Sequence, residues 1–275
     1  MAWTDMTDLT GLVAWYKPET LAASYANGDP IDTWADSSGN GIDLTGTTTT
    51  RPLALASAIN GYMAADFDGT DDVLSSASYT LASGQLTTTI VVSVDVLKNF
   101  NSLFCIDDTV PPVYFSTYLH AYIFASAEFR IGFNAGAGNK TFDSSGGTGP
   151  VTAANWFVIS YSVSDDAAYV RVNGNQWYFS GSLPNQSGGT AYNILGYSGV
   201  SGSYLDGKVT EVVCHQPTTK DHSSIHWVEG YLANKYAITL ADGHLFKNAA
   251  PENAPTTYNA AGSTSYALPP KHTRL

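Results

Sequence analysis

The stretch Asp66-Phe67-Asp68-Gly69-Thr70-Asp71-Asp72 puts four carboxylates around one glycine. A Gly-centred turn rich in Asp gathers hard oxygen donors. Asp68, Asp71 and Asp72 therefore suit a calcium ion, or form a solvated turn closed by its own side chains. A second group, Asp36-x-Ser38-x-Asn40-Gly41, repeats the oxygen-ligand rhythm that opens a calcium loop. Thr47 stands where such a loop needs its final acid, and no flanking helices are expected, so an EF-hand is excluded. The alternative is an Asx-type turn in which Asp36 caps nearby amides. Calcium is the one cofactor these residue types suggest, at Asp36, Asn40, Asp68, Asp71 and Asp72.

Sugar sites combine an aromatic platform with Asp, Asn and backbone donors. Most of the 17 Tyr and 6 Trp fall in apolar runs and are expected to pack inside. Trp177, Tyr192, Tyr197 and Tyr204 stand beside loops and are the glycan-binding candidates.

Retaining glycoside hydrolysis needs two carboxyls about 5–5.5 Å apart. On a strand that means acids at alternate positions, which share a face. No Glu-x-Asp-x-Glu strand occurs, and Asp66 and Asp68 form the nearest pair. Glu211 stands alone among Val209, Val212 and Val213 and reads as a structural carboxylate near a sheet edge. His120, His215, His222, His226, His244 and His272 form no HExxH or triad signature. His222 and His226 are one helical turn apart and read as a surface pair. The expectation is a chain that is not an enzyme, with no catalytic residue assigned.

The elements that must hold these residues are mostly strands. Leu12 to Tyr16 reads as a first strand, and Thr87 to Val96 is β-branched throughout, like a central strand. Asn173-Gly174 between Val172 and Trp177 is a strong hairpin signal. Asn134 to Pro150 reads as a long Gly/Ser loop. One helix is predicted around Lys220 to Tyr236, with Ile225, Val228, Leu232 and Tyr236 facing a sheet. Residues 1–11 form a short polar arm, 12–251 the folded domain, and 252–275 a tail rich in Pro, Ala, Ser and Thr. The tail cannot form a core of its own. Cys105 and Cys214 are far apart in sequence and read as two small buried hydrophobes, though pairing stays open.

Four motifs occur in order: Val13-Ala14-Trp15-Tyr16-Lys17 with Trp34 to Gly41; Asp66 to Leu74; Leu205 to Val213; and Glu229 to Tyr236. In this order they resemble the laminin-G-like, concanavalin-A-like jelly-roll domains of bacterial surface proteins and phage virions, over roughly residues 11–251. The resemblance implies an all-β jelly-roll β-sandwich with one short C-terminal helix and extended terminal arms. Calcium at loops of this kind is also implied. So is a virion structural protein, decorating a capsid or sitting on a tail. Its arms would dock on neighbouring capsid or tail subunits, with host-surface polysaccharide or a second copy as further partners. A free glycan-binding adhesin is the alternative, and a glycoside hydrolase ranks below both.

Composition agrees with an all-β fold and limits the partners. Hydrophobic residues are 44% of 275, enough for a large core, and only 13% are charged. The net charge of −12 with no Lys/Arg cluster argues against nucleic acid. No apolar run reaches the roughly 18 residues of a membrane span. The N-terminus lacks a basic then apolar signal, so function or assembly without a Sec export signal is expected, and the resemblance then implies assembly in a host cytoplasm and display on a virion surface.

Overall fold

The computed structural model describes residues 6–108, 110, 118–134, 139–143, 150–163, 167–181, 188–197, 199, 201–217 and 223–247. The architecture is an all-β sandwich of antiparallel sheets. The larger sheet runs in the order Asn175–Gly181, Ala167–Val172, Trp156–Val163, Leu86–Val94, Asp206–His215, Tyr62–Asp68, Leu53–Ile59. Asp206–His215 serves two neighbours on one edge. Its first half pairs with Tyr62–Asp68 and its second half with Leu12–Tyr16. A register shift between Val209 and Glu211 separates the two halves, and Thr210 Oγ1 donates to the Met63 carbonyl at that point.

The second sheet runs Phe104–Asp107, Gly189–Leu195, Leu74–Ser76, Leu44–Thr45, Thr33–Trp34, with Tyr79–Leu81 also pairing Gly189–Leu195. A small third sheet runs Asn139–Asp143, Phe129–Asn134, His120–Ile123, Asn101–Ser102. The strand Asn139–Asp143 lies inside the stretch read from sequence as a loop. Its pairing with Phe129–Asn134 supplies backbone partners that composition does not reveal.

Leu86–Val94 is buried at all nine positions, because both of its faces are covered. Ile90, Val92 and Val94 enter the main core between the sheets, while Val91 enters a second core under a helix. Thr87 and Thr89 are buried too, and each hydroxyl pairs across the strands, with Ser162 at 2.8 Å and Ser160 at 3.0 Å. Those cross-strand pairs satisfy groups that would otherwise cost about 1–3 kcal/mol each.

The helix Ser223–Tyr236 packs on the back of the larger sheet, with Ile225, Val228, Leu232 and Tyr236 buried as the periodicity predicts. Met6 and Leu9 join that core with Trp15, so residues 6–9 are part of the fold and not of a polar arm. Apolar side chains at an otherwise polar terminus find a ready surface there. A second helix, Pro18–Ser24, was not expected from sequence. Proline at its first turn presets the helical φ, and Leu21 is buried. Cys105 and Cys214 are both buried and unpaired. Among the described residues no helix is long and apolar enough to cross a membrane. The tail 252–275 and residues 1–5 lie outside the described residues.

Candidate functional site

Three loops meet at one end of the sandwich. The antiparallel register sets Asp206 opposite Asp68 and Lys208 opposite Asp66. The turn after Asp68 is thereby laid against the loop that follows Leu195. Gly196 sits where the two touch. It has φ +93°, and a Cβ there would lie 2.7 Å from the Phe67 ring and 2.9 Å from the Asp72 carbonyl oxygen. Only glycine permits both that backbone and that approach. The loop is closed at its neck by Leu205 N–H donating to the Gly196 carbonyl at 2.8 Å. Tyr197 and Tyr204, one residue inside the neck on each side, therefore face each other. Their rings stack with centroids 4.4 Å apart and planes 16° apart, and both are half-buried. Burial, and then the neighbouring Tyr204, raise the Tyr197 phenol, so it stays neutral.

The acidic turn beside this pair is closed by its own groups. Asp68 Oδ1 accepts from Thr70 N–H at 2.8 Å, and Asp72 Oδ2 accepts from Asp68 N–H at 2.8 Å. Asp68, Asp71 and Asp72 each bring an oxygen to within 4.8 Å of the others. Asp72 is only 6% exposed. Burial first, and then Asp68, Asp71 and Asp66, push its carboxyl up to about 6 against the pull of the Asp68 amide. Lys98 braces the turn, with Nζ donating to the Gly69 carbonyl at 2.6 Å and lying 3.9 Å from Asp206. The donor set fits a hard cation, and Lys98 already brings one positive charge to it.

Of the nine residues singled out from sequence, the fold brings together Tyr197 and Tyr204, with Asp68, Asp71 and Asp72 on the adjoining turn. Tyr192 stands on Gly189–Leu195 opposite Asp107. Trp177 lies on Asn175–Gly181, an outer strand of the larger sheet, and its side chain lies outside the described residues. Asp36 and Asn40 are elsewhere and act structurally. Asp36 accepts from the amides of Trp15, Ser38 and Ile42 at 2.9–3.1 Å. Asn40 Nδ2 donates to the Leu12 and Val13 carbonyls. The Asx-turn alternative describes them, and as calcium ligands they are set aside. Sequence reasoning missed Lys98, Asp95 and Asp206. The strand register places Asp206 here, and the loop after Leu86–Val94 brings Lys98 and Asp95, whose N–H donates to the Asp206 carbonyl at 2.8 Å.

A second group of possible ligands, His226, Glu229 and His244, lies within 4.8 Å on the helix side. Its cation is Arg171. That guanidinium donates to both Glu229 oxygens at 2.9–3.2 Å, and its Nη2 also reaches the Gly174 carbonyl at 2.7 Å and lies 3.4 Å from His226 Nδ1. A metal ion in that spot would meet an existing positive charge. His226 faces Arg171 and His244, with the two imidazole rings 5.0 Å apart. His222 lies outside the described residues. Glu211 is structural as read. Fully buried, it accepts from Trp15 Nε1 and Lys235 Nζ, both at 2.6 Å, and from the Tyr236 hydroxyl.

No family model and no curated protein matches the chain. Solved structures do share its fold. Domain 4 of AbnA, an extracellular GH43 arabinanase from Geobacillus stearothermophilus solved with arabinotriose, superposes with TM-score 0.53 at 15% identity, covering 75% of this chain and 92% of that one. The binding domain of Paraclostridial Mosquitocidal Protein 1 gives 0.59 at 11% identity, over 84% of this chain and 54% of that one. A variant of a GH54 α-L-arabinofuranosidase gives 0.55 at 14% identity, over 75% and 51%. The chain thus spans about half the length of the latter two.

At these identities the likeness shows the fold, a β-sandwich. It also corrects one expectation. The chain was read as not an enzyme because no paired-acid strand occurs in it. The arabinanase and the arabinofuranosidase carry this fold, so that conclusion is withdrawn.

Proposed function

We propose that this chain is a carbohydrate-binding β-sandwich that takes glycan at the end bearing Tyr197, Tyr204 and the Asp68–Asp72 turn. The stacked tyrosine pair carries the reading. Two parallel aromatic rings at a loop neck offer a flat apolar face for the C–H side of a sugar ring. Carboxylates beside them accept from sugar hydroxyls. Support comes also from the shared fold, since one similar domain was solved with arabinotriose bound and another is a binding domain.

The narrower reading is a laminin-G-like module displayed on a phage virion, held by the tail 252–275 on capsid or tail subunits. It remains a proposal resting on the order of the sequence motifs.

The test is binding of the full chain to immobilised polysaccharides and to arabinotriose, beside the variants Tyr197→Ala and Tyr204→Ala. Each variant is expected to weaken binding about tenfold or more, as loss of a stacking ring does at such sites. Unchanged circular dichroism would show that the fold survives. Glycan binding that survives both substitutions would move the site elsewhere.

A further inference from the structure

We infer, resting on the glycan-binding reading above, that the Tyr197–Tyr204 end selects uncharged glycans and rejects those bearing carboxylate or sulfate groups. The charges around the site decide this. Asp66, Asp68, Asp71, Asp72, Asp95 and Asp206 lie on the strand ends and loops that meet here, with Lys98 and Lys208 among them. Both ammonium groups are already engaged. Lys98 holds the Gly69 carbonyl and stands 3.9 Å from Asp206. Lys208 pairs with Asp95 and stands 3.9 Å from Asp66. The carboxylates outnumber the lysines three to one, so the end keeps a negative field. That field is felt inside the protein. Burial first raises Asp66 and Asp206 as well as Asp72; Lys208 and Lys98 pull Asp66 and Asp206 back down, and the neighbouring carboxylates add to the rise of all three.

An incoming anion would meet this field with no uncommitted lysine among the residues named. Like charges brought together suppress wrong partners, and this repulsion works beside the attractive contacts that select right ones. A neutral sugar meets the same carboxylates differently. Its hydroxyls donate, and each donation to an ionised oxygen is a charge-assisted hydrogen bond. Asp68 is exposed and Asp71 half-buried, so both can accept such bonds while the sugar ring lies on a tyrosine. The surplus of acid is therefore a filter that costs a neutral ligand little.

The experiment is an array carrying neutral glycans, arabinotriose included, and acidic ones with uronate, sialyl or sulfate groups. It is read with the full chain, with and without a chelator. Neutral hits are expected, with acidic forms of the same backbone bound at least about tenfold more weakly. Asp68→Asn with Asp71→Asn should narrow that gap. Since the double variant alters the turn, a second measurement stands apart from it. Affinity for the best neutral glycan should change little as ionic strength rises, because no ion pair holds it. Hits on acidic glycans equal to or above the neutral ones overturn the inference and leave glycan binding intact. The same holds for acidic hits that the chelator abolishes, which would mean a cation bridges them. A steep loss of the neutral ligand with salt also overturns it. An array with no hits overturns the glycan-binding reading itself.

Discussion

Asp72 is a carboxylate held against its preference. Its neighbours Asp68, Asp71 and Asp66 share its sign, and water is largely excluded from it. A folded carboxyl near 6, against 3.8 for the free group, binds protons more readily folded than unfolded. Stability therefore falls as pH rises from about 3.8 to 6, and the full cost persists above 6. The shift corresponds to about 3 kcal/mol at most. Asp72→Asn removes the charge and keeps an oxygen to accept from Asp68 N–H. The variant is expected to be more stable than the parent near neutral pH and equal to it below about pH 4, measured by urea unfolding. Millimolar calcium gives the converse reading of the same turn. If a cation sits among Asp68, Asp71 and Asp72, it will stabilise the parent and not the variant. A variant no more stable than the parent at neutral pH, without calcium, would show that the charge is already compensated.

The helix Ser223–Tyr236 shows how one element is read partly from sequence and partly not. Its buried face follows from the spacing of Ile225, Val228, Leu232 and Tyr236, because a 3.6-residue period needs no knowledge of the partner. The hairpin at Asn173-Gly174 is equally local, both residues taking positive φ as such turns require. The lock between them is not local. Arg171 and Glu229 lie 58 residues apart, and only packing sets the guanidinium against both carboxylate oxygens. His244 completes the lock, its ring 3.0 Å from Glu229 and pressed on Gly174, where a Cβ would come within 2.4 Å. Despite burial, Arg171 and His244 hold the Glu229 carboxyl at about 2. Its contribution is complete above about pH 4.5 and is lost as pH falls toward 2. Arg171→Met would strand a buried negative charge and should cost about 3–5 kcal/mol. Adding Glu229→Leu should recover most of that, because the pair is then replaced by apolar packing. Guanidinium unfolding of the single and double variants checks this, and a double variant as weak as the single would mean that the ion pair itself holds the helix. The acidic site divides in the same way. Asp68, Asp71 and Asp72 were legible because they are sequence neighbours, and Tyr197 and Tyr204 because they flank a loop. Asp206 and Lys98 were not, since a strand register and a crossing loop bring them there.

Across the whole molecule, acid response is the sum of groups pulling in opposite directions. His215 is fully buried, with Nε2 3.3 Å from Ser224 Oγ and no partner on Nδ1 among the described residues. Burial lowers its pKa to about 4 from 6.5. The unfolded chain binds that proton first, so the contribution of neutral His215 is complete above 6.5 and is lost as pH falls toward 4. That loss amounts to about 3 kcal/mol. Asp72 acts over nearly the same range with the opposite sign, gaining stability as pH falls from 6 to 3.8. The two slopes offset each other. Set against each other, His215 and Asp72 should leave a nearly flat profile from about pH 6.5 to 4, onto which the raised Asp66 and Asp206 add a gain on acidification, before Glu229 begins to lose its charge. Each partner can be unmasked by removing the other. His215→Gln should leave a protein that becomes more stable on mild acidification, while Asp72→Asn should leave one that becomes less stable. Unfolding free energies of the parent and both variants, taken at half-unit steps across that range, decide it. Three superimposable profiles would show that neither group titrates with folding, and that the flatness comes from the remaining surface charge of a chain carrying −12.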